Sequence, residues 1–524
     1  PAVLPGEIGL RRITIHCHPL GALTMQSPQF ILALQNQSVW DAWTKITAVC
    51  RARCALLLSF LGAVLLGATV FSAPSRVAAQ AAAATRPNIV VIMTDDQTLE
   101  MMRVLTKTRQ LIGEAGTTFS NYYCSFPLCA PSRATFLTGQ YPHNHGVLGN
   151  SAPGGGYEAL DHSNTLPVWL QAAGYFTSHI GKYLNGYGDH NTEIPPGWND
   201  WQTLAREAYY DYTINDNGIQ VPYGSSAEDY QTDVLAGRAV ETISEAVAQQ
   251  PFFLSIDVHA VHGGNAGALT AKLPNPPPAP RHVDAFKDEQ SPKPPSYNEA
   301  NVLDKPSVIQ NLPRLTAPDV EKIETAYRAR LASLLAVDDL VARVVNELAA
   351  TGVLNNTVII FTSDNGLFHG EHRIVSGKGY AYEEASHLPL LIRGDGFPQG
   401  VTRNQFVANI DLAPTIVDLA NASPRRVMDG RSLLPLAKDP SLANARNLLI
   451  DQENYKAVRN KSFLYVEHNS GEQELYDMRP VTTNYDPYQL LSRHADSAYS
   501  QIMAQLASRV SMLRTCLGVS CEVQ

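Results

Sequence analysis

The chain has 524 residues, 44% of them hydrophobic, and carries 40 Lys+Arg against 49 Asp+Glu, a net charge of −9. Residues 1–81 hold six of the basic and two of the acidic residues, which leaves 34 against 47, a net of −13, for the remainder. That is enough apolar material for a large core, and without a Lys/Arg block to neutralise phosphates it excludes nucleic acid as a partner.

In chain order, Arg51 and Arg53 precede an apolar stretch at 55–70, followed by Ser72-Ala73-Pro74 and Ala79-Gln80-Ala81. A positive region, a short apolar run and an A-x-A site read as a secretory signal. A stretch of 16 residues is short for a membrane span, although an uncleaved anchor is the alternative. Residues 1–81 are therefore expected to be leader and signal peptide, with Met25 as a candidate start. The mature protein is expected to be secreted or periplasmic, with no stable membrane insertion after cleavage.

Apolar runs of strand length follow at 88–93, 252–258, 358–361 and 388–392, and 176–180 is strand-like and ends in Gly181-Lys182. Uniform apolarity predicts strands buried on both faces of a largely parallel sheet. A helix is predicted over 320–350, where Ile323, Leu331, Leu334, Leu335, Val341, Val344, Val345 and Leu348 fall near 3.6 spacing and Gly352 ends the pattern. Alternating strands and helices predict an α/β fold, a large mixed, mostly parallel sheet sandwiched by helices. Residues 263–318 break the rhythm with dense proline, reading either as a surface loop or as a wall of the substrate pocket. From 445 the pattern changes to short strands at 455–459, 463–467 and 474–477, then a helix near 498–513, which predicts a small C-terminal α+β domain. The expected division is 1–81 leader, 82–444 catalytic domain and 445–524 C-terminal domain.

Polar residues fall at informative places. Asp95-Asp96, Lys182, His259 with His262, and Asp364-Asn365 all follow the carboxyl ends of predicted strands, the edge at which open α/β sheets bind ligands. Either acidic pair alone reads as a helix cap or turn. Together at strand ends they supply hard oxygen donors suited to Ca²⁺ or Mg²⁺ and not to zinc.

Of the seven cysteines, Cys17, Cys50 and Cys54 lie within residues 1–81. Cys516 and Cys521 read as a local disulfide in preference to a metal pair, and Cys124 as a small buried residue. Cys129 stands in Leu128-Cys129-Ala130-Pro131-Ser132-Arg133, followed by Leu137-Thr138-Gly139. Pro131 suits a helix's first turn, which would place Ser132 and Arg133 where backbone N–H groups favour an anionic oxygen.

The string C-x-P-S-R-x-x-x-L-T-G resembles the site at which sulfatases oxidise a cysteine to formylglycine. A thiolate attacking a sulfate ester would form an S-sulfo adduct with no easy exit. The hydrated aldehyde has two geminal hydroxyls: one attacks sulfur and the alcohol leaves, then the other loses its proton, expels sulfate and restores the aldehyde. The resemblance implies that Cys129 is the modified nucleophile, made by a formylglycine-generating enzyme, and that Arg133 steadies its oxygens by charge-assisted hydrogen bonds.

Gly174 to Leu184 (G-Y-F-T-S-H-I-G-K-Y-L) is similar to the second family motif, which gives Lys182 a sulfate contact. Gly377-Lys378-Gly379-Tyr380-Ala381-Tyr382-Glu383 is similar to G-K-G-x-x-Y-E, whose lysine bridges sulfate and leaving-group oxygen, so Lys378 takes that role. His262 matches the histidine near the leaving oxygen, with His259 behind it. Asp95, Asp96, Asp364 and Asn365, with the modified Cys129, match the ligands of one divalent cation, Ca²⁺ in preference to Mg²⁺.

Within the family the chain resembles N-acetylglucosamine-6-sulfatases, through Tyr141-Pro142-His143-Asn144-His145, Gly181-Lys182-Tyr183-Leu184-Asn185, Leu354-Asn355-Asn356-Thr357, the 334–341 run and the Cys516/Cys521 spacing. That implies 6-O-sulfate of N-acetylglucosamine in sulfated glycans as substrate. Broad arylsulfatase action on a small sulfate ester is the alternative, with phosphate- or phosphonate-ester hydrolysis or silent binding on the same fold as further readings. The acidic surface favours a chain end or a small ester over a long sulfated polymer, unless a basic pocket sits within it. Two departures stand out: Leu184 replaces a frequent histidine, and Glu384-Ala385-Ser386-His387 replaces the glycine-rich stretch after Tyr-Glu.

Overall fold

The computed structural model describes residues 86–522 apart from 191, 264–274 and 443–444; the expected leader and signal peptide lie outside the described residues. The strands of the main sheet are Asn88–Thr94 (β1), Thr117–Tyr123 (β2), Phe176–Gly181 (β3), Asp200–Leu204 (β4), Thr213–Asp216 (β5), Ile219–Pro222 (β6), Phe252–Asp257 (β7), Thr357–Ser363 (β8), His387–Leu388 (β9), Leu390–Arg393 (β10) and Val401–Ala408 (β11). They form one 11-stranded sheet in the order β11-β2-β10-β8-β1-β7-β3-β4-β5-β6, with β9 also paired to β2.

The centre is parallel. β1 pairs in parallel with β7 and β8, and β3 with β7 and β4. Every residue of β1, β7 and β8 is buried, as their uniform apolarity predicts. Successive side chains of β1 go to opposite faces. Val90 and Ile92 pack with helices Gln231–Ala246 and Ala317–Ala350, whereas Ile89, Val91 and Met93 pack with helices Cys129–Thr138, Leu166–Ala172 and Leu412–Ala420. Helices therefore cover both faces. The long helix begins three residues before its predicted start, with a Thr316/Asp319 capping box.

The run at 388–392 departs from expectation. Pro389 lacks the N–H that a continuous strand needs, so the run is split into β9 and β10. β10 lies antiparallel to both β8 and β2.

A second, antiparallel sheet contains Leu448–Gln452 (β12), Tyr455–Arg459 (β13), Phe463–His468 (β14) and Gln473–Asp477 (β15), in that order. Helix Ser500–Leu513 packs on it through Leu506, Val510 and Leu513. Cys516 and Cys521 form a disulfide, and Cys124 is a buried free thiol. In the proline-rich segment the described part is tied down: Tyr297 bridges to Glu371, and Glu299 accepts from His372 Nδ1 at 2.8 Å.

The two sheets are joined by a buried charge. Arg459 of β13 donates to Glu383 at 2.7 Å and to the hydroxyl of Tyr123 on β2 at 3.2 Å, and its guanidinium lies 5.3 Å over the Tyr123 ring and 5.1 Å over that of Phe406. Tyr123 also donates to Glu383, at 3.0 Å. Burial opposes ionisation of Glu383, but Arg459 and His387 outweigh it and hold the carboxyl well below its usual range. Glu383→Ala would strand the guanidinium and is expected to cost about 3–5 kcal/mol of unfolding free energy, the range for breaking a buried pair from one side. Chemical denaturation checks this; a loss under about 1 kcal/mol would show that the pair does not hold the sheets together.

Candidate active site

The parallel register brings the site together. Thr94 stands opposite Ser363, and Met93 opposite Asp257, so Asp95 and Asp364 leave β1 and β8 side by side, with Asp257 at the next strand end. The amide of Asp364 donates to Thr94 O at 3.1 Å. β3 ends at Gly181 beside Asp257, and the Lys182 amide donates to Asp257 O at 2.7 Å. A Cβ at Gly181 would lie 2.1 Å from that carbonyl, and φ there is +105°, so this position requires glycine. Asp96 is in the left-handed region at φ +63°, a strained conformation held by its surroundings.

Cys129 is the first residue of helix Cys129–Thr138 and is fully buried. The amide of the next residue, Ala130 N–H, one of those left free at the helix start, donates to Asn150 Oδ1 at 2.9 Å. The Cys129 thiol is 3.5 Å from Asp95 Oδ1 and receives Lys378 Nζ at 2.8 Å. Burial and the neighbouring Asp95 carboxylate push the thiol up to about 12.

Arg133, one helical turn on, shares the Cys129 face. Its Nε donates to Asp364 Oδ2 at 2.9 Å, and one terminal nitrogen donates to Lys182 O at 3.0 Å and Asp257 Oδ1 at 3.2 Å. Lys182 Nζ donates to Asp95 Oδ2 at 2.5 Å and lies 3.2 Å from Glu207 Oε2. Lys378 also donates to Asp96 Oδ1. His262 gives Nδ1–H to Gly263 O at 2.8 Å, which leaves Nε2 facing Asp96 at 3.7 Å. The structure thus brings Cys129, Arg133, Lys182, His262, Lys378, Asp95, Asp96, Asp364 and Asn365 into one cluster.

Three carboxylates and three permanent cations make up most of it. Burial works against every charge. The lysines and histidines nevertheless hold Asp95 well below its usual range, and Lys378 and His262 lower Asp96. Asp364 is pushed up to about 6 by burial and by Asp95, with Arg133 opposing. Both lysines are raised against burial by their carboxylate partners.

The donor set fits a hard cation. Oxygens of Asp95, Asp96 and Asp364 lie within 4.8 Å of one another. Asn365 gives Nδ2–H to Asp96 at 2.6 Å, while its buried Oδ1 has no partner. Three converging carboxylate oxygens, beside a buried amide oxygen that has no partner, are suited to Ca²⁺ or Mg²⁺. Asp95, Cys129 and His262 form an overlapping softer set, which metal analysis would distinguish.

Two residues of the cluster escaped sequence reasoning. Asp257 orients Arg133; it also accepts from Ser255 Oγ at 2.5 Å and faces His179 at 3.4 Å. A carboxylate closing an apolar strand was the available signal. Glu207 comes from the loop after β4, in no recognisable motif.

Comparison with known proteins agrees with this geometry. The sulfatase family model matches residues 87–422, and the model for the C-terminal part of N-sulphoglucosamine sulphohydrolase matches 370–516. The chain belongs to the sulfatase family. It is accordingly a sulfuric ester hydrolase.

The chain is 38% identical over 375 residues to N-acetylglucosamine-6-sulfatase of Homo sapiens, covering 69% of this chain and 66%, just under two thirds, of that one. It is 33% identical over 489 residues to the Capra hircus protein of the same name, covering 83% and 85%. An arylsulfatase of Volvox carteri is 34% identical over 508 residues, covering 84% and 76%. A protein solved with its substrate D-glucosamine-2-N,6-O-disulfate shares the fold at TM-score 0.66 and 24% identity, covering 81% of this chain and 97% of that one. The phosphonate monoester hydrolase of Agrobacterium radiobacter does so at 0.64 and 21%, covering 82% and 95%.

Asp257→Asn would keep the shape of the Arg133 socket while removing its charge. It is expected to lower kcat about 10- to 100-fold, as loss of an orienting partner behind a metal site does. Nitrophenyl sulfate turnover with matched metal content checks this; unchanged kcat would show that Asp364 and the Lys182 carbonyl suffice to fix Arg133.

Proposed function

We propose that this protein removes 6-O-sulfate from N-acetylglucosamine in sulfated glycans, using formylglycine made from Cys129 and one divalent cation, Ca²⁺ in preference to Mg²⁺. The observation that carries this reading is the position of Cys129, at a helix start among three cations and three carboxylates. A buried thiol pushed up to about 12 is neutral at pH 7 and a poor nucleophile. Conversion to an aldehyde hydrate places an oxygen nucleophile at the same point and gives the sulfated intermediate an exit.

In this reading Arg133, fixed by Asp364 and Asp257, steadies the formylglycine oxygens. Lys182 and Lys378 hold sulfate oxygens, with Lys378 also reaching the leaving oxygen. Nδ1–H of His262 is tied to Gly263 O, so Nε2 is the atom that faces the departing sugar oxygen, and it passes a proton there from the imidazolium form, which burial disfavours and the Asp95 and Asp96 carboxylates favour. A cation held by Asp95, Asp96, Asp364, Asn365 and residue 129 would supply Lewis-acid stabilisation of charge on oxygen.

Resemblance to the two N-acetylglucosamine-6-sulfatases supports the substrate, and the Volvox relative favours an arylsulfatase as second reading. We place the protein outside the cytoplasm, secreted or periplasmic, meeting a formylglycine-generating enzyme during maturation. The extracellular sulfatase SULF-1 homolog of Drosophila melanogaster is 36% identical over 366 residues, covering 67% of this chain and 31% of that one. Among the described residues no helix is long and apolar enough to cross a membrane. The proposed division is a catalytic domain to 444 and a small domain from 445.

Peptide mass spectrometry of active enzyme is expected to show the aldehyde or its hydrate at residue 129, and Cys129→Ala to abolish turnover. Full activity with only free thiol would overturn the nucleophile. Chelation is expected to abolish activity, with stoichiometric Ca²⁺ or Mg²⁺ found by metal analysis; stoichiometric zinc would reassign the site. Lys182→Ala or Lys378→Ala should each cost about 2–4 kcal/mol of transition-state stabilisation, roughly 30- to 1000-fold in rate. His262→Ala should slow sugar sulfates more than nitrophenyl sulfate, whose leaving group departs without a proton. Preference for 4-O- or N-sulfated sugars over 6-O-sulfated ones would reject the substrate.

A further inference from the structure

Beside this cluster lies a buried cation without a carboxylate partner among the described residues. Arg330, on helix Ala317–Ala350, is 4% exposed. Among the described residues no carboxylate lies within ion-pair distance of it, and its Nε has no hydrogen-bond acceptor. The carboxylate whose field reaches it is Asp96, already paired with Lys378. Every other strongly buried arginine discussed above has an acceptor, so Arg330 is the exception that requires a cause.

Arg330 lines a cavity of about 410 Å³ together with His369, Lys322, Glu321, Val375 and Ser376. His369 is 5% exposed, and its Nε2 also has no partner. Burial and the neighbouring guanidinium push its imidazole down to about 3, so it is neutral. Its ring is fixed edge-on against Tyr327, with centroids 5.5 Å apart. The cavity adjoins the site through the chain itself. Val375 and Ser376 lead into Gly377-Lys378, and Phe368 pairs with Gly377 across an antiparallel bridge. His369 follows Asp364-Asn365 by a few residues.

We propose that Arg330 and His369 form a second anion subsite, taking a sulfate or carboxylate on the substrate other than the ester being cleaved. Arg330 supplies the charge and a planar set of N–H donors, and neutral His369 a hydrogen bond to the anion or to a neighbouring sugar hydroxyl. Lys322 adds positive charge at the cavity and Glu321 opposes it. A buried guanidinium left unpaired in the free enzyme stores a desolvation cost that only an anionic ligand relieves, which makes it a selector for doubly charged substrates. The proposal rests on the sulfatase reading and adds a specificity determinant to it.

The test compares kcat/KM for four substrates: nitrophenyl sulfate, N-acetylglucosamine-6-sulfate, glucosamine-2-N,6-O-disulfate and a 6-sulfated N-acetylglucosamine linked to a uronic acid. Wild-type enzyme should prefer at least one doubly anionic sugar over the monosulfate by about tenfold or more, the magnitude of one charge-assisted contact. The preferred sugar shows whether the second group is a sulfate or a carboxylate. Arg330→Met should reduce that preference at least tenfold, chiefly through KM, and Arg330→Lys should keep part of it. The melting temperature of Arg330→Met should equal or exceed that of wild type, because an unpaired buried charge is removed.

Equal wild-type kcat/KM for singly and doubly charged sugars would overturn the proposal. So would an Arg330→Met variant that keeps its preference, or one that melts lower while losing all four activities alike. Absence of turnover of every sulfate ester by wild-type, formylglycine-bearing enzyme would instead overturn the sulfatase reading.

Discussion

The arrangement depends on keeping charge out of water at the end of a parallel sheet. Asp95, Asp96 and Asp364 would repel one another if buried alone. Arg133, Lys182 and Lys378 cancel that repulsion, each touching a different carboxylate, and Arg133 ties three strand ends to one helix. The apolar strands beneath supply the rigidity. Because β1, β7 and β8 are buried throughout and locked in register, their terminal side chains have little freedom to move apart. Preorganisation of this kind lets fixed charges stabilise a transition state without reorganising at the moment of reaction.

The same logic recurs at longer range. Glu383 follows directly on the segment that carries Lys378, and it pairs with Arg459 of the second sheet and Tyr123 of the first. Placement of Lys378 over Cys129 is thus coupled to docking of the C-terminal sheet. Sequence alone assigned Glu383 only to a motif; the structure gives it a mechanical role. Tyr123 is also the last residue of β2, from which the chain runs through Cys124 towards Cys129, so one buried pair bears on both sides of the cluster.

What was legible in the sequence follows from burial. Strands buried on both faces read as apolar runs, so β1, β7 and β8 were predicted within a residue or two of their observed limits, and β3, polar at Thr177-Ser178-His179, was placed by its strand-like stretch before Gly181-Lys182. β2 and β11 mix polar and apolar residues without a regular period, and β4, β5 and β6 are short and partly exposed, so no run announces them. At 388–392 the run was visible, but Pro389 broke it and its direction depended on tertiary pairing. The nine candidate site residues could be placed because strand ends and motifs carry them. Asp257 and Glu207 were missed because they act through contacts between segments distant in sequence. Arg330 was invisible for a further reason. Within a helix of ordinary periodicity an arginine reads as solvated, and only the packed structure shows that its Nε has no acceptor.

The fold by itself does not choose the ester. The phosphonate monoester hydrolase and the disulfate-bound protein resemble this chain to nearly the same degree, TM-scores 0.64 and 0.66. Selection must then come from groups that vary around a common centre. The centre of this chain sets five carboxylates, those of Asp95, Asp96, Asp257, Asp364 and Glu207, against three permanent cations before any metal is counted, so an incoming anion is attracted by local geometry and not by net charge. Around it the described surface includes both acidic and basic groups, and the chain as a whole is acidic. Under those conditions a cation that has no carboxylate partner among the described residues exerts an influence out of proportion to its number. Arg330 meets that description at the margin of the site, where the part of a sugar other than the reacting sulfate would lie. Its isolation is thermodynamically unfavourable in the free protein. The unfavourable term is removed only when a ligand brings the missing charge, so discrimination is built into the resting fold and needs no conformational change to express it.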